Sequence, residues 1–441
     1  MSRMDLSQSP YVAPLLRNRW PQFLIRAVTL AGFIFTILAG LIGSGVGSNN
    51  FAVIFVWIAW WSALKLFFIP VGGRLWCSIC PIPMPGEWLQ NGGIFKPRPF
   101  QSSKRINWPK SLRGNWFQAF VFLLIGLFGA VILTSPRVTA FILLGLFIVA
   151  FILSLIFERR SFCLYLCPIG GFTGLYVKLA PLEVRTKQSV LCARHGEKTC
   201  YQACPWGQYP LSLKSSANCG LCMECLRVCP YDNISVNLRP WGEEISKGSK
   251  PTLDETFLGL MMLTTALADA AIFLGPWGKL KSAAYWVGMS AWWWFVIAFL
   301  LGALFLIPGL YILAVWSSTR LERSGSTLRS TLTYFSPFLL PLGLTGWIAF
   351  TISFAFTKFS YILPVLSDPL GWGWNLLGLS GKINVGEISP LSSFLQVVVI
   401  AAGMFWAART ARQLSSSHRQ VMPLVMFIAS FGIAMLWLLI G

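Results

Sequence analysis

The sequence predicts an all-α polytopic membrane protein of about nine helices, into which a small cysteine-rich α+β domain is inserted. Three observations predict it. Of 441 residues, 55% are hydrophobic and only 11% are charged, a balance suited to a chain surrounded by lipid rather than by water. Apolar stretches approaching the about 20 residues that cross a hydrocarbon core recur along the chain. Seven of the eleven cysteines fall within residues 192–230.

The apolar stretches lie at roughly 23–43, 51–70, 116–134, 138–157, 255–275, 287–316, 332–356, 393–408 and 421–441. The sixth is long enough to tilt or to kink at Pro308, and the eighth is short. The chain then divides into a polar lead (1–22), a four-helix unit (23–184), the cysteine-rich domain (185–240), a Gly-, Pro- and charge-rich linker (241–254) and a five-helix unit (255–441) with an outer loop at 357–392. The lead holds three prolines and no cleavable signal pattern, and Tyr11, Leu15, Leu16 and Trp20 suit it to lie along a membrane surface. Trp372 and Trp374 in the outer loop suit an interfacial or docking role.

A net charge of +20 invites a nucleic-acid partner, but topology accounts for it better. With nine spans, one side of the membrane carries 29 Lys and Arg, and the other carries Arg137, Lys279, Lys281, Lys358 and Lys382; Lys65 lies within the second span. The positive-inside rule makes the basic side cytoplasmic and turns the C-terminus outward, in the inner (cytoplasmic) membrane. Reduced thiols fit that compartment, and a disulfide framework does not.

Cys219, Cys222, Cys225 and Cys229 are spaced C-x2-C-x2-C-x3-C and followed by Pro230. This run places three thiolates of one short loop around a [4Fe–4S] cube and sends the fourth to a second cluster, as in bacterial-type ferredoxins. With that crossed wiring, Cys204 completes the set of Cys219, Cys222 and Cys225. The upstream partner motif is irregular: Cys192, Cys200 and Cys204-Pro205, with His195 near the place of a further cysteine. The second cluster then has Cys192, Cys200 and Cys229, and is either a three-iron cluster or a four-iron cluster completed by His195.

The first four spans form two hairpins, each closing on a basic residue, an aromatic, a cysteine pair and a proline. These are GGRLWCSICP, with Cys77 and Cys80, and ERRSFCLYLCP, with Cys163 and Cys167. Such an internal repeat brings both loops to one membrane face. Four thiols there suit a third metal centre (Fe–S or copper) or two redox-active dithiol pairs, and the prolines shape the loop around the thiols.

With these loops and the following cysteine run, residues 20–240 resemble the polytopic membrane-bound ferredoxins. That family includes the membrane Fe–S subunit of quinol oxidation for periplasmic nitrate reductase, the nitrous-oxide-reductase regulator and the cytochrome-oxidase assembly ferredoxin. The resemblance implies electron transfer between a cytoplasmic or quinol donor and an extracytoplasmic redox partner. The chain departs from the pattern at His195 and in the two-residue spacing of its first cysteine pair.

Asp269, inside the fifth span, is a candidate for a proton or quinone path, because a carboxylate in lipid is costly. The chain has two histidines, His195 and His418, both outside the spans, and no C-x-x-C-H, nucleotide loop or dinucleotide fingerprint. Haem b, haem c, ATP and NAD are therefore not expected ligands. The reading is an Fe–S electron-transfer subunit of a respiratory or photosynthetic membrane complex, with lipid and cytochrome-bearing subunits as partners, quinone as a candidate cofactor and no nucleic acid. The alternative is a membrane ferredoxin that reduces a client metalloprotein during its assembly.

Overall fold

A computed structural model describes residues 3–91, 105–246, 251–275, 278–322, 327–379 and 389–440. Among these, eight helices are long and apolar enough to cross a membrane: Arg19–Ile42, Phe51–Gly72, Pro136–Ile156, Leu253–Phe273, Ser290–Leu321, Leu328–Phe356, Leu391–Leu414 and His418–Ile440. The stretch expected as the third span, 116–134, differs. It is a helix Trp116–Leu127 followed by a separate turn Gly129–Ile132. Phe128 between them leaves helical geometry (φ −97°, ψ 10°), and glycines at 126 and 129 lower the cost of leaving it. Residues 247–250 of the linker and 380–388 of the outer loop lie outside the described residues.

The described chain forms two compact units. The first comprises Met1–Phe35, Phe67–Gln118 and Ile142–Lys247, and holds all eleven cysteines. Its sheet has three antiparallel strands in the order β1–β3–β2, with β1 at Met4–Asp5, β2 at Leu182–Thr186 and β3 at Ile234–Leu238. Leu182 pairs with Leu238 and Thr186 with Ile234, so β2 and β3 flank the cysteine-rich segment and bring its ends together. Val184, Ile234 and Val236 pack with Leu221, Met223 and Leu226 in a small core behind the cysteine loop.

The N-terminal lead is part of this domain rather than a separate segment. Met4 and Asp5 pair with Leu238 and Asn237, Arg17 meets Asp232 at 2.7 Å and Arg19 meets Glu224 at 2.8 Å. At two residues, β1 is too short to read as a strand from its sequence.

The second unit comprises Thr36–Leu66, Ala119–Phe141 and Gly248–Gly441. Leu253–Phe273 starts at a reciprocal cap, in which the Thr252 side chain takes a backbone N–H of the first turn and Glu255 returns to the Thr252 N–H. Asn50 closes the first hairpin: its buried amide donates to the Ala39 and Ser44 carbonyls, and its oxygen accepts from the Ala52 N–H, all at 2.9 Å. Losing those bonds leaves buried backbone groups unpaired, at about 1–3 kcal/mol. Most of Phe51–Gly72 is wound as π-helix, over Ile54–Trp60 and Leu64–Gly72, with Pro70 in the second stretch.

Candidate metal centres

Three groups of thiols form within the first unit. Cys204, Cys219, Cys222 and Cys225 line one cavity together with Trp206 and Gly220. The loop that carries them is tightly wound: Leu221 (φ 50°) and Met223 (φ 62°) sit in the left-handed region on either side of Cys222. For residues with a Cβ this costs about 1–2 kcal/mol each, offset by burying both side chains in the core behind the loop. The Gln208 N–H donates to the Cys204 sulfur at 3.4 Å.

The second group is Cys192, Cys200 and Cys229. Cys200 lies within electrostatic reach of both others. Asn233 joins the remaining two, its N–H donating to the Cys229 sulfur at 3.3 Å and its side-chain amide to the Cys192 sulfur at 3.1 Å. His195 follows the helix Ser189–Arg194 and lays its ring against Tyr231, centroids 5.0 Å apart, two residues beyond Cys229. Its Nδ1 is buried and has no hydrogen-bond partner.

The third group is Cys77, Cys80, Cys163 and Cys167, from the two hairpin loops. Cys80 interacts with Cys163 and Cys77, and Cys167 with Cys80 and Cys77. The Gly170 N–H donates to the Cys167 sulfur at 3.3 Å, and Cys77 stands 3.4 Å from the Thr173 hydroxyl. The second of the two prolines has a visible use: Pro168 starts the helix Pro168–Tyr176, and Cys167 caps it.

Burial pushes several of these thiols upward. Cys219 is raised to about 11 and Cys167 to about 12, and Cys222, Cys225, Cys80 and Cys163 are raised as well; in each case burial is the larger cause and neighbouring thiols add to it. Such groups ionise together only around a cation that offsets their repulsion. The donor sets fit Fe–S clusters: four thiols, three thiols with an unpartnered imidazole nearby, and four thiols, with N–H donors to the sulfurs. Among the described residues, no three His, Cys, Asp or Glu side chains converge as ligands of a single metal ion.

The residues between the groups are where sequence reasoning fell short. Trp206, 1% exposed, packs in one core with Cys77, Cys163 and Cys204. The Arg74 guanidinium lies 4.7 Å from its ring centroid and that of Arg160 5.5 Å. These two arginines occupy the same place in the repeat, three residues before Cys77 and before Cys163, and each bonds the opposite loop. Arg160 donates to the Cys77 carbonyl at 2.7 Å, whereas Arg74 donates to the Gly170 carbonyl and to Ala217, two residues before Cys219. Glu87 neutralises Arg160, accepting from its Nε at 2.8 Å, and accepts from Arg26 at 3.2 Å. The basic residue before each cysteine pair was visible as part of the repeat. The Trp206 and Glu87 roles carry no spacing signal.

Residues 53–99 and 139–185 each match a family described as a 4Fe-4S binding domain, so the two matches fall on the hairpin loops that carry Cys77, Cys80, Cys163 and Cys167. The methylamine utilization ferredoxin-type protein MauN of Paracoccus denitrificans is 26% identical over 157 residues, which is 32% of this chain and 52% of that protein. MauN of Methylorubrum extorquens is 26% identical over 184 residues, 38% of this chain and 57% of that protein. An uncharacterized protein of Methanocaldococcus jannaschii is 25% identical over 218 residues, 48% of this chain and 82% of its own length. The chain thus spans about half the length of the MauN relatives it matches. No solved structure matches it. Over this segment the chain resembles the membrane-associated ferredoxin-type family, and each of its two cysteine-pair loops lies in a match to a 4Fe-4S binding domain.

Proposed function

We propose that the chain is the iron–sulfur electron-transfer subunit of a membrane redox complex, and that its three thiol groups hold three centres in series. Cys204, Cys219, Cys222 and Cys225 hold a [4Fe–4S] cluster; Cys192, Cys200 and Cys229, with His195 as a candidate fourth ligand, hold a second cluster of three or four irons. Cys77, Cys80, Cys163 and Cys167 hold the third. When bound, clusters of this kind take up and release single electrons at potentials set by net charge, hydrogen bonds to sulfur and exposure.

The observation that carries this reading is the buried core in which Trp206 packs in one cluster with Cys204, Cys77 and Cys163. Two ligand sets from distant parts of the sequence are thereby held in van der Waals continuity, in a water-poor setting. Arg74 and Arg160 fix the indole and lock the loops to one another. Their positive charges offset part of the negative charge that ionised thiols bring, which favours the reduced state of neighbouring centres. The match of both hairpin loops to a 4Fe-4S binding domain supports Fe–S over copper or paired dithiols for the third set.

Counting the broken segment 116–132 as a crossing, as the pairing of β1 with β3 on one side of the membrane requires, the charge asymmetry supports placing the clusters on the cytoplasmic side of the inner membrane with the C-terminus outward. Electrons on that side need a quinone or a haem-bearing subunit to continue across about 30 Å of hydrocarbon, so the chain works within a larger complex. The test is a potentiometric EPR titration of the full-length protein and its Cys163→Ser and Cys219→Ser variants. The reading expects each serine to remove one signal and leave the others. If Cys163→Ser leaves every signal intact, the third set holds no cluster.

A further inference from the structure

The second unit contains a pair of opposite charges that the electron path does not use. Lys65 lies in the π-helical stretch Leu64–Gly72 of an apolar helix and is 0% exposed. Its ammonium nitrogen has no hydrogen-bond partner. It is enclosed instead by aromatic faces: Nζ stands 4.8 Å from the Trp61 ring centroid, 5.0 Å from Trp347 and 5.2 Å from Phe350. A cage of this kind stabilises a cation through ring quadrupoles but offers no proton acceptor.

Asp269, on the apolar helix Leu253–Phe273 and 7% exposed, is the charge that faces Lys65. Its Oδ1 is buried and unpartnered. A Cβ added at Gly129 would stand 3.5 Å from that oxygen, so the carboxyl lies beside the break between Trp116–Leu127 and Gly129–Ile132. Broken backbone within an apolar segment is tolerated where it lines a protein interior or a polar site, and π-helical stretches recur at functional sites. Two independent irregularities of the backbone thus meet at one pair of under-bonded titratable groups.

We propose that Lys65 and Asp269 form a proton-binding site inside this unit, exchanging protons with water. In release, the N–H bond of the ammonium breaks and its proton passes to a water molecule, leaving a neutral amine. In uptake, a proton from hydronium bonds the carboxylate oxygen, leaving water. No electron moves. The aromatic cage holds the lysine in place in both states, so the site changes charge without rearranging its packing.

Other titratable groups on the elements packed against this pair are remote in sequence position or engaged. Leu339–Phe356 and Gly129–Ile132 contain none. Lys279, Lys281 and Tyr285, Arg329 and Tyr334, Arg320, Tyr361, and His418 with Arg419 lie in terminal turns or short helices. The Tyr311 hydroxyl donates to the Leu332 carbonyl at 2.6 Å.

The experiment is infrared difference spectroscopy of the full-length protein in lipid nanodiscs during a pH titration in H2O and in D2O. Wild type should show a carboxylic-acid C=O band that titrates, shifts in D2O and shifts again on 13C-aspartate labelling, which needs no variant to fold. Asp269→Asn should abolish that band, Lys65→Met should displace its titration, and Lys281→Met should do neither. The double variant Lys65→Met with Asp269→Asn removes both charges together and should fold without the band. A wild-type protein with no titrating aspartate band overturns the proposal, as does a band that persists in a folded Asp269→Asn or double variant. So does a folded Lys65→Met protein that titrates as wild type, which would mark the pair as a static charge contact.

Discussion

Replacing Glu87 by Gln should loosen the whole assembly of cysteine loops, because Glu87 is the counter-charge of a buried arginine that holds two of them. The Arg160 side chain is 2% exposed. It bonds the Cys77 carbonyl and lies over Trp206, so without Glu87 it keeps its place at the cost of an uncompensated buried charge. The magnitude can be worked two ways. Burial alone would raise the Glu87 carboxyl, but the charges and hydrogen bonds of Arg160 and Arg26 outweigh it and bring the group from 4.5 to about 2. That displacement corresponds to about 3 kcal/mol at about 1.4 kcal/mol per pH unit. Breaking a buried ion pair from one side costs about 3–5 kcal/mol. The two agree. The sign follows from the direction: a carboxyl held low contributes its stability in full above its unfolded value of 4.5, and loses it as pH falls toward about 2. Thermal unfolding in detergent, followed from about pH 6 to about pH 3, should therefore show wild type losing stability that Glu87→Gln has already lost at the upper end. Curves that coincide near neutral pH, or that fall in parallel throughout, would refute the argument that Glu87 anchors Arg160.

Gly220→Ala would set a Cβ into the Trp206 indole. Because Trp206 is buried with two guanidinium groups against its ring, overpacking should cost about 1–3 kcal/mol and lower iron retained after gel filtration; unchanged iron would show that the indole is free to shift. If His195 ligates the second cluster, His195→Cys should lower its potential, since a thiolate adds negative charge at iron, and His195→Ala should convert a four-iron EPR signal into a three-iron one. A three-iron signal identical in wild type and Ala removes His195 from the ligand set. A C-terminal alkaline phosphatase fusion should be active and a C-terminal fluorescent-protein fusion dark, as the charge split requires; the reverse pattern would mean that the number of crossings differs by one.

The parts of the fold that were legible in the sequence are those with a strong local period or spacing. Runs such as 138–157 and 255–275 are apolar on every face, and they appear as Pro136–Ile156 and Leu253–Phe273. The 116–134 run is just as apolar but holds Gly126 and Gly129, and hydropathy does not register a break that glycines permit. The run of Cys219, Cys222 and Cys225 announces a shared centre because three thiols in seven residues have few other arrangements. Cys204, expected as their fourth partner from the crossed wiring of two-cluster ferredoxins, lines the same cavity, and the pairing of β2 with β3 closes the segment that carries all four. Arg74 and Arg160 were visible as a repeated basic position. Their stacking on one tryptophan from a third segment was not, because cation–π contacts leave no periodic trace. Lys65 reads in the sequence only as a charge inside a span, since the aromatic residues that cage it come from positions almost three hundred residues apart.

The central claim is that one compact unit holds three Fe–S centres, and the most direct measurement is iron and acid-labile sulfide per chain on anaerobically purified full-length protein, joined to Mössbauer spectroscopy. The account predicts about 11–12 irons with about 12 acid-labile sulfides, resolved into three sets, one of them lost in Cys163→Ser. About seven or eight irons in two sets, unchanged by Cys163→Ser, would contradict the third centre, and zinc without sulfide would contradict the account as a whole.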